Sequence, residues 1–349
     1  MDGFEGKTER VGLEYPCGDR PEPGTVKEVA PGVLWVSMPL PFSLKWINLW
    51  LLEDEDSWTM VDTGMGMEET RDFWRKIFEN DLKGKPINRV VVTHMHPDHV
   101  GLAGWVTRKW DCGLWMSRSE YVFCRMLVAD TGREAPKEGV DFYAKAGWGE
   151  DELAYYKKRF GGFGRSVSRL PEAFKRLEDK DELVIGGRTW RVITGSGHCP
   201  EHVCLYCADL NVLISGDQLL PKISSNVSVW PTEPESDPLT DWLDSCAKLI
   251  RETPEDVLTL PAHNEPFLGA HKRLQALIDG HERSLERLTS RLEEPRRVID
   301  TFASLFSRKI GLDDMSAATG EALAHLNCLI ERGQAKRVLE NGVYLYSKT

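Results

Sequence analysis

Three histidines and one aspartate lie within six positions of one another, in the segment Thr93-His94-Met95-His96-Pro97-Asp98-His99. The apolar, β-branched run at residues 89–92 predicts a buried strand, so the polar cluster begins where a core strand ends. His94 and His96 are two residues apart, so on extended backbone their imidazoles leave the same face and can bind one metal ion. A turn then directs Asp98 and His99 towards a second point nearby. Three of the nine histidines of the chain lie in this window, which indicates a metal site rather than a His-rich loop.

Polar residues also follow other predicted strands, and each lies close to a glycine or a proline: Asp62, His198, Asp217 and His263. Strand ends at one edge of a sheet sandwich converge in space, so we expect these residues to join the His-rich segment in a single site. Imidazole and carboxylate ligands suit Zn²⁺, and they are also compatible with Fe or Mn. Two ions that share a water lower its pKa from ~15.7 towards ~7, which supplies hydroxide for attack on a carbonyl or phosphoryl group.

Strands and helices alternate along most of the chain. Strand-like apolar runs are expected at residues 33–36, 47–52, 58–61, 89–92, 182–193, 203–206, 212–215 and 257–260. Amphipathic helices are expected at residues 67–80, 238–252 and 270–292. Gly186-Gly187 and Asn341-Gly342 predict two-residue hairpin turns. This alternation predicts a layered α/β arrangement.

The motifs T-H-M-H-P-D-H, G-H-C-P-E-H, S-G-D and L-P-A-H, in this order, resemble those of the metallo-β-lactamase-fold hydrolase superfamily. The resemblance covers about residues 25–290 and is greatest to glyoxalase-II-like and thioesterase-like members that carry a C-terminal winged-helix segment. It implies a four-layer αβ/βα sandwich of the α/β (α+β) class, with two divalent metal ions at one edge.

By motif, the resemblance also implies the role of each site residue. One metal would be bound by His94, His96 and His198, and the second by Asp98, His99 and His263. Asp217 would bridge the two ions. Asp62 and His202 would support the site loops from behind the ligands. Asp98 would in addition act in catalysis, by orienting the attacking water or by moving its proton.

Two departures from the family pattern concern loop conformation and leave every ligand in place. The family commonly has G-H-x-x-G-H, and Glu201 occupies the second glycine position here. Glycines usually flank the last histidine, whereas Ala262 and Asn264 flank His263 in this chain. Lys222 lies just after Asp217 and is a weak candidate for contact with an anionic substrate group, the alternative being a solvated loop lysine. His271, His281 and His325 lie outside the motifs and are expected at the surface.

The chain is expected to have three parts. Residues 1–27 form an irregular lead-in, residues 28–294 the hydrolase domain, and residues 295–349 a small winged-helix-like module. Within the hydrolase domain, residues 118–180 interrupt the alternation with aromatic-rich helical segments. We expect this insertion to cap a substrate pocket, with the glycines at 161–164 as a hinge. The alternative is a helical insertion that packs on the core.

Composition and charge restrict the class of protein. With 349 residues, 41% of them hydrophobic, and 12 tryptophans, the chain can build a large core. The formal net charge of −11 argues against nucleic acid as the main partner, because phosphate binding needs a positive field. No signal pattern begins the sequence and no apolar run approaches the ~20 residues that span a bilayer, so we expect a cytoplasmic protein without a membrane partner. A homodimer that pairs through the tail is left open.

The eight cysteines are scattered and are expected to be reduced and mostly buried. Cys204 and Cys207 form a single C-x-x-C motif in a predicted strand, where this offset directs the side chains to opposite faces. The sequence contains no second cysteine pair, so a zinc or redox role for this motif is not expected.

These observations predict a hydrolase with two divalent metal ions, most readily Zn²⁺, that uses a metal-bridging hydroxide on a small thioester or ester. The alternatives within enzymes are a single-strand endoribonuclease, which the winged-helix-like tail suggests, and a lactone hydrolase. A flavin-linked diiron oxygen reductase would need a flavodoxin-like domain, and the segment after residue 295 is too short for one. A non-catalytic binder is disfavoured because all seven ligands are present.

Overall fold

The computed structural model describes residues 12–349, and two β-sheets form the centre of the molecule. Within this range the strands are β1 (Val26–Ala30), β2 (Val33–Pro39), β3 (Trp46–Asp54), β4 (Ser57–Val61), β5 (Ile87–Val91), β6 (Gly113–Met116), β7 (Lys175–Arg176), β8 (Glu182–Ile185), β9 (Arg188–Gly195), β10 (His202–Cys207), β11 (Val212–Gly216), β12 (Leu258–Pro261), β13 (Ala335–Glu340) and β14 (Val343–Lys348). The helices are α1 (Glu68–Asn80), α2 (Pro97–Val100), α3 (Ala103–Trp110), α4 (Arg118–Ala129), α5 (Lys137–Lys145), α6 (Glu150–Arg159), α7 (Pro238–Glu252), α8 (Ala270–Arg291), α9 (Phe302–Leu305) and α10 (Met315–Glu331).

The two large sheets are both mixed. The first has the strand order β1-β2-β3-β4-β5-β6-β7, antiparallel from β1 to β4 and parallel from β4 to β7. The second has the order β12-β11-β10-β9-β8, in which the β11–β12 pair is parallel and the other pairs are antiparallel. Strands β13 and β14 form a separate hairpin near the end of the chain.

Three buried apolar clusters hold the layers together. One lies between the sheets and contains Trp35 and Trp50, whose rings stack 6.2 Å apart. The second packs the outer face of the first sheet against α1 and α3, with Trp74 at its centre. The third packs the second sheet against α7 and α8 around Trp242. This helix–sheet–sheet–helix order confirms the predicted four-layer αβ/βα sandwich, and it leaves the strand ends free to carry polar loops.

The insertion at residues 118–180 contains α4, α5 and α6, and several of its aromatic side chains are buried in the protein interior. Tyr143 and Trp148 belong to the same buried cluster as residues of α10. Trp148 Nε1 donates a hydrogen bond to Thr319 Oγ1 at 2.9 Å. Packing of the insertion on the core therefore accounts for these two side chains, and a cap over a substrate pocket stays a prediction.

The C-terminal region shares its core with the second sheet. Helix α10 packs against α7 and α8, and its apolar residues belong to the same buried cluster as Trp242. The predicted hairpin at Asn341-Gly342 is confirmed, since these two residues have positive φ and connect β13 to β14. The winged-helix assignment and the domain boundaries stay predictions.

Other expectations from the sequence have mixed outcomes. The Gly186-Gly187 turn connects β8 to β9 as predicted. The lead-in expected at residues 1–27 lies partly outside the described residues, and its last two residues belong to β1. Cys204 and Cys207 are buried on opposite faces of β10, in different apolar clusters. Among residues 12–349, no helix combines the length and the apolar character that crossing a membrane requires.

Candidate metal centre

The predicted ligands follow the C-terminal ends of strands and meet at one edge of the sandwich. Strand β5 ends at Val91, just before the His-rich segment, and the short helix α2 then turns the chain after His96. Strands β9, β11 and β12 end shortly before His198, Asp217 and His263. Residues that are far apart in the sequence are thus brought together by the sheet topology.

The first cluster consists of four side chains whose ligand atoms lie within 4.8 Å of one another: His94, His96, His198 and Asp217. His94 Nε2 is 2.9 Å from His96 Nδ1. Asp217 Oδ2 is 3.4 Å from His198 Nε2 and 4.0 Å from His94 Nε2. Three imidazoles and one carboxylate oxygen therefore surround a common point.

The second cluster consists of Asp98, His99 and His263. His263 Nε2 lies 3.5 Å from Asp98 Oδ2, and His99 Nε2 lies 3.9 Å from the same oxygen. Asp217 Oδ1 is 3.5 Å from both His99 Nε2 and His263 Nε2. Asp217 therefore presents one oxygen to each cluster, which is the arrangement that a bridging carboxylate needs.

The separations that involve Asp217 and Asp98, 3.4–4.0 Å, fit metal ions better than they fit direct hydrogen bonds, whereas the 2.9 Å between His94 Nε2 and His96 Nδ1 is also a hydrogen-bond distance. Two ligand atoms bound at about 2.1 Å to a tetrahedral ion lie about 3.4 Å apart. Within residues 12–349, Nε2 of His99, His198 and His263 and Oδ1 of Asp217 are buried without a hydrogen-bond partner. Buried polar atoms are nearly always paired. Their convergence therefore indicates that the donor set suits the binding of metal ions.

Backbone carbonyls orient two of the imidazoles. His198 Nδ1 donates to the carbonyl oxygen of Asn226 at 2.8 Å, and His263 Nδ1 donates to that of Trp46 at 2.9 Å. With the proton on Nδ1, the lone pair of Nε2 faces the cluster. Such outer contacts fix both the tautomer and the direction of a metal-binding imidazole.

Asp62 and His202 lie behind the ligands, where the family resemblance places them. Asp62 Oδ2 accepts from His99 Nδ1 at 2.7 Å and from Thr93 Oγ1 at 2.8 Å, and Asp62 Oδ1 accepts from Thr93 N at 2.8 Å. His202 Nε2 accepts from the backbone N–H of Asp217 at 3.1 Å. The two side chains thus support His99 and the Asp217 loop without reaching the centre of either cluster.

Burial and neighbouring charges set the protonation of the centre. Burial lowers the pKa of His94 well below its ordinary value and lowers the pKa of His96 to about 3, so both imidazoles are neutral, the form that binds metal. Burial opposes the ionised form of Asp217, but His263 and His99 outweigh it and lower the pKa of this carboxyl well below its usual range. Burial likewise opposes protonation of His99, but Asp62 and the carboxylates of the centre raise its pKa well above the ordinary value.

A glycine next to Asp217 lets the site loops approach each other. Gly216 has a φ of +51°, and a Cβ there would lie 2.5 Å from His202 Nε2 and 3.2 Å from Thr93 Cβ. A side chain at this position would therefore displace the loops that carry the ligands.

Glu120, on α4 of the insertion, is a supporting residue that the sequence reasoning missed. It is fully buried. Its two carboxylate oxygens accept from Met95 N and from Glu201 N, each at 2.9 Å, and thereby connect the two loops that carry His96 and His198. The sequence did contain one signal for Glu120. It lies one helical turn before Cys124, on the same face of α4 as this buried residue.

Glu201 accounts for one departure from the family motif. Its carboxylate accepts from Ser119 N at 3.0 Å, and its carbonyl oxygen accepts from Ser117 Oγ at 2.7 Å. The side chain that replaces glycine therefore attaches the beginning of α4 to the His198 loop.

The histidines outside the motifs and Lys222 occupy different surroundings. The surface prediction for His281 and His325 is wrong: they are buried between α8 and α10, with Nδ1 of the first 3.3 Å from Nε2 of the second. They are buried because the C-terminal region covers α8. His271 is partly exposed and contacts the carbonyl oxygen of Thr253. Lys222 forms an ion pair with Glu265 at 2.6 Å, and substrate contact by Lys222 stays a prediction.

Comparison with known families agrees with this fold. Residues 47–263, more than half of the chain, match the metallo-beta-lactamase superfamily. Residues 285–349 match the metallo-beta-lactamase-like C-terminal domain. The chain therefore belongs to the metallo-beta-lactamase superfamily, as its motif order predicted, and its class is that of the metal-dependent hydrolases.

Relatives span most of the chain. The probable metallo-hydrolase YqjP of Bacillus subtilis (strain 168) is 25% identical over 278 residues, which cover 77% of this chain and 80% of that protein. The human acyl-coenzyme A thioesterase MBLAC2 is 24% identical over 255 residues, which cover 70% and 82%. The crystal structure of a beta-lactamase domain protein from Burkholderia ambifaria aligns with a TM-score of 0.90 at 39% identity, over 99% of this chain and 100% of that one.

Proposed function

We propose that the protein is a dinuclear metal-dependent hydrolase that acts on a small thioester or ester. The observation that carries this proposal is Asp217, which presents one oxygen to each of two clusters of ligand atoms. The first ion would be held by His94, His96 and His198, and the second by Asp98, His99 and His263, with Asp217 between them. This set of nitrogen and oxygen donors suits Zn²⁺ best and is compatible with Fe or Mn.

Among the proposed ligands, we place Asp98 at the reacting water. When bound, two divalent ions would activate a water molecule and withdraw charge from the carbonyl under attack. His94 and His99 are fully buried, whereas the side chain of Asp98 is 12% exposed. Burial raises the pKa of Asp98, but His99 and His263 outweigh this effect and lower it below the ordinary value. Asp98 is therefore ionised at neutral pH, and we assign to it the orientation of the water and the acceptance of its proton.

The thioester proposal is supported by similarity to the human protein named as an acyl-coenzyme A thioesterase, over most of the length of both chains. A carbonyl substrate also suits a centre with a carboxylate base and two cations. The endoribonuclease alternative is disfavoured by the formal net charge of −11. A lactone hydrolase would use the same chemistry, so only a substrate assay distinguishes this alternative from a thioesterase.

The test is a substrate panel on the metal-loaded full chain, with thiol release from acyl-coenzyme A as the primary measurement. Lactones, phosphodiesters, single-stranded RNA and a β-lactam form the parallel arms. We expect thioester hydrolysis that His96→Ala abolishes and that His271→Ala, outside both clusters, leaves unchanged. RNA cleavage without thiol release would replace the proposed substrate class. Full activity of His96→Ala would refute the site.

A further inference from the structure

We propose that Glu321, on helix α10 of the C-terminal region, is a positioning residue for His198 and acts on it through Asn226. The inference rests on the metal centre proposed above and adds to it a residue from another part of the fold. It also gives the C-terminal region a direct role in the site, beyond packing.

A short series of hydrogen bonds connects the two residues. His198 Nδ1 donates to the carbonyl oxygen of Asn226 at 2.8 Å. The side-chain nitrogen of Asn226 donates to Glu321 Oε2 at 2.6 Å, and its contact with the carbonyl oxygen of Ala317 is longer, at 3.5 Å. The backbone atom that orients the imidazole therefore belongs to a residue whose side-chain nitrogen is held by Glu321, while its side-chain oxygen accepts from Ser228 Oγ.

The loop that contains Asn226 rests directly on α10. Val229 N donates to the carbonyl oxygen of Gly320 at 3.0 Å, and Ser228 Oγ donates to that of Ala317 at 3.3 Å. A Cβ on Gly320 would lie 2.7 Å from Ser228 Cβ, so the helix and the loop are in close contact at this point. The position of the loop, and with it the Asn226 carbonyl, is therefore set by α10.

The carboxyl group of Glu321 faces this loop. The group is buried, and Asn226 donates to Oε2, whereas Oε1 has no hydrogen-bond partner among residues 12–349. His325, one turn later on α10, contacts the backbone carbonyl of Glu321, and a carboxylate oxygen of Glu321 also lies within 4.8 Å of ring nitrogens of His281 and His325. Burial raises the pKa of Glu321 to about 8, so the side chain is mostly neutral at pH 7 and glutamine is its closest mimic.

Loss of this contact should affect one metal and spare the other. Without Glu321, the partly buried Asn226 side chain loses its short hydrogen bond to the carboxyl group, and the Asn226 backbone carbonyl no longer holds the ring of His198 in one orientation. Removal of an outer partner of a metal ligand typically weakens metal binding by roughly 10–100-fold. His263 is oriented instead by Trp46, at the start of β3, so the second cluster keeps its support.

The experiment uses metal-free full-length protein titrated with Co²⁺, with dissociation constants and visible absorption spectra recorded for each ion. We expect Glu321→Leu to weaken the binding of one of the two Co²⁺ ions by roughly 10–100-fold and to change the absorption spectrum of that ion. The other ion should bind as in the wild type. Glu321→Gln should restore both the affinity and the spectrum. Asn226→Ala removes the same link from its other end and should give the same selective loss if the leucine variant does not fold.

The matched control is Asn327→Leu, on the same helix. Asn327 is also buried, and its side chain anchors a different loop through the carbonyl oxygens of Pro234 and Ser236. Its substitution should lower the melting temperature and leave both Co²⁺ affinities unchanged. Wild-type affinities in Glu321→Leu and Asn226→Ala, or an equal loss in Asn327→Leu, would overturn the inference. Failure of the wild type to bind two ions would instead refute the proposed metal centre.

Discussion

Asp62 accepts three hydrogen bonds from the segment that carries the ligands, two from Thr93 and one from His99. An ionised carboxylate can accept all three, whereas an amide has only one acceptor oxygen and would direct an N–H group at another donor. The orientation of His99 therefore depends on the acid itself, although Asp62 does not reach the centre of the site.

The isosteric substitution Asp62→Asn tests this dependence. We expect metal binding at the cluster of Asp98, His99 and His263 to weaken by roughly 10–100-fold, because His99 loses its outer partner. The free energy of unfolding should fall by about 1–3 kcal/mol, because a buried donor is left unpaired. Chelator competition and urea unfolding measure the two effects. Asp56→Asn, on the surface, is the control, and an equal response in both variants would contradict the assignment.

The titration of Glu321 should also make the free energy of unfolding depend on pH. Its pKa is about 8 in the folded protein and 4.5 for an ordinary glutamate, so the folded state binds this proton more strongly. The stability that this proton contributes is fully present below pH 4.5 and is lost as the pH rises towards about 8. Glutamine does not titrate, so the unfolding free energy of Glu321→Gln relative to the wild type should rise by up to about 4 kcal/mol from pH 5 to pH 8. Urea unfolding across this range measures it, and a constant difference would show that Glu321 is ionised throughout.

At the scale of residues, the sequence predicted the side chains that meet at the centre and two that support them, Asp62 and His202, but it missed Glu120 and Glu321. His94, His96 and Asp98 form a motif with recognisable spacing, so they were identified without coordinates. Glu120 and Glu321 bind mainly the backbone or a side chain of distant loops, and such partners leave no spacing to recognise. Only the folded chain shows which loop each of them contacts.

At the scale of elements, α3 packs closely against the last part of the insertion, around Arg169, and this contact holds the insertion on the first sheet. A Cβ on Gly104 would lie 1.9 Å from the carbonyl oxygen of Arg169, whereas a Cβ on Gly280, in the middle of α8, would meet no atom within 4 Å. The two helical glycines thus differ in the space around them, although both lie inside helices.

Alanine at each glycine gives a matched pair. Gly280→Ala should raise the free energy of unfolding by about 0.5–1 kcal/mol, because alanine has the higher helix propensity and no clash arises. Gly104→Ala should lower it by about 1–3 kcal/mol or more, because the helix and the Arg169 segment must separate. Thermal or urea unfolding of both variants measures the difference, and stabilisation by Gly104→Ala would show that the contact is loose.

The elements themselves were largely predictable. The alternation of apolar runs located β2, β3 and β4, and the glycine pairs located the hairpins, because both signals are local. The surroundings of the insertion were not predictable in the same way. Tyr143 lies on α5 and Trp148 in the loop that follows it, and the sequence cannot show whether such aromatic residues face a substrate or, as here, the helix α10.

At the scale of the whole molecule, the C-terminal region and the second sheet share one buried cluster, which also includes part of the insertion. This arrangement explains why His281 and His325 are buried, and it places α10 against the loop that orients His198. The sequence indicated a small unit after residue 295, because its helices and hairpin form a local pattern. The shared core depends on contacts between residues far apart in the chain, which local patterns do not reveal.

The central claim is that Asp217 joins two metal ions in one centre, and quantification of bound metal tests it most directly. Full-length protein is loaded with Zn²⁺, freed of excess metal and measured by mass spectrometry, beside the variant Asp217→Ala. We expect two ions per chain in the wild type and fewer than one in the variant, because both clusters lose a ligand together. One ion or none in the wild type, or two ions in Asp217→Ala, would contradict the account.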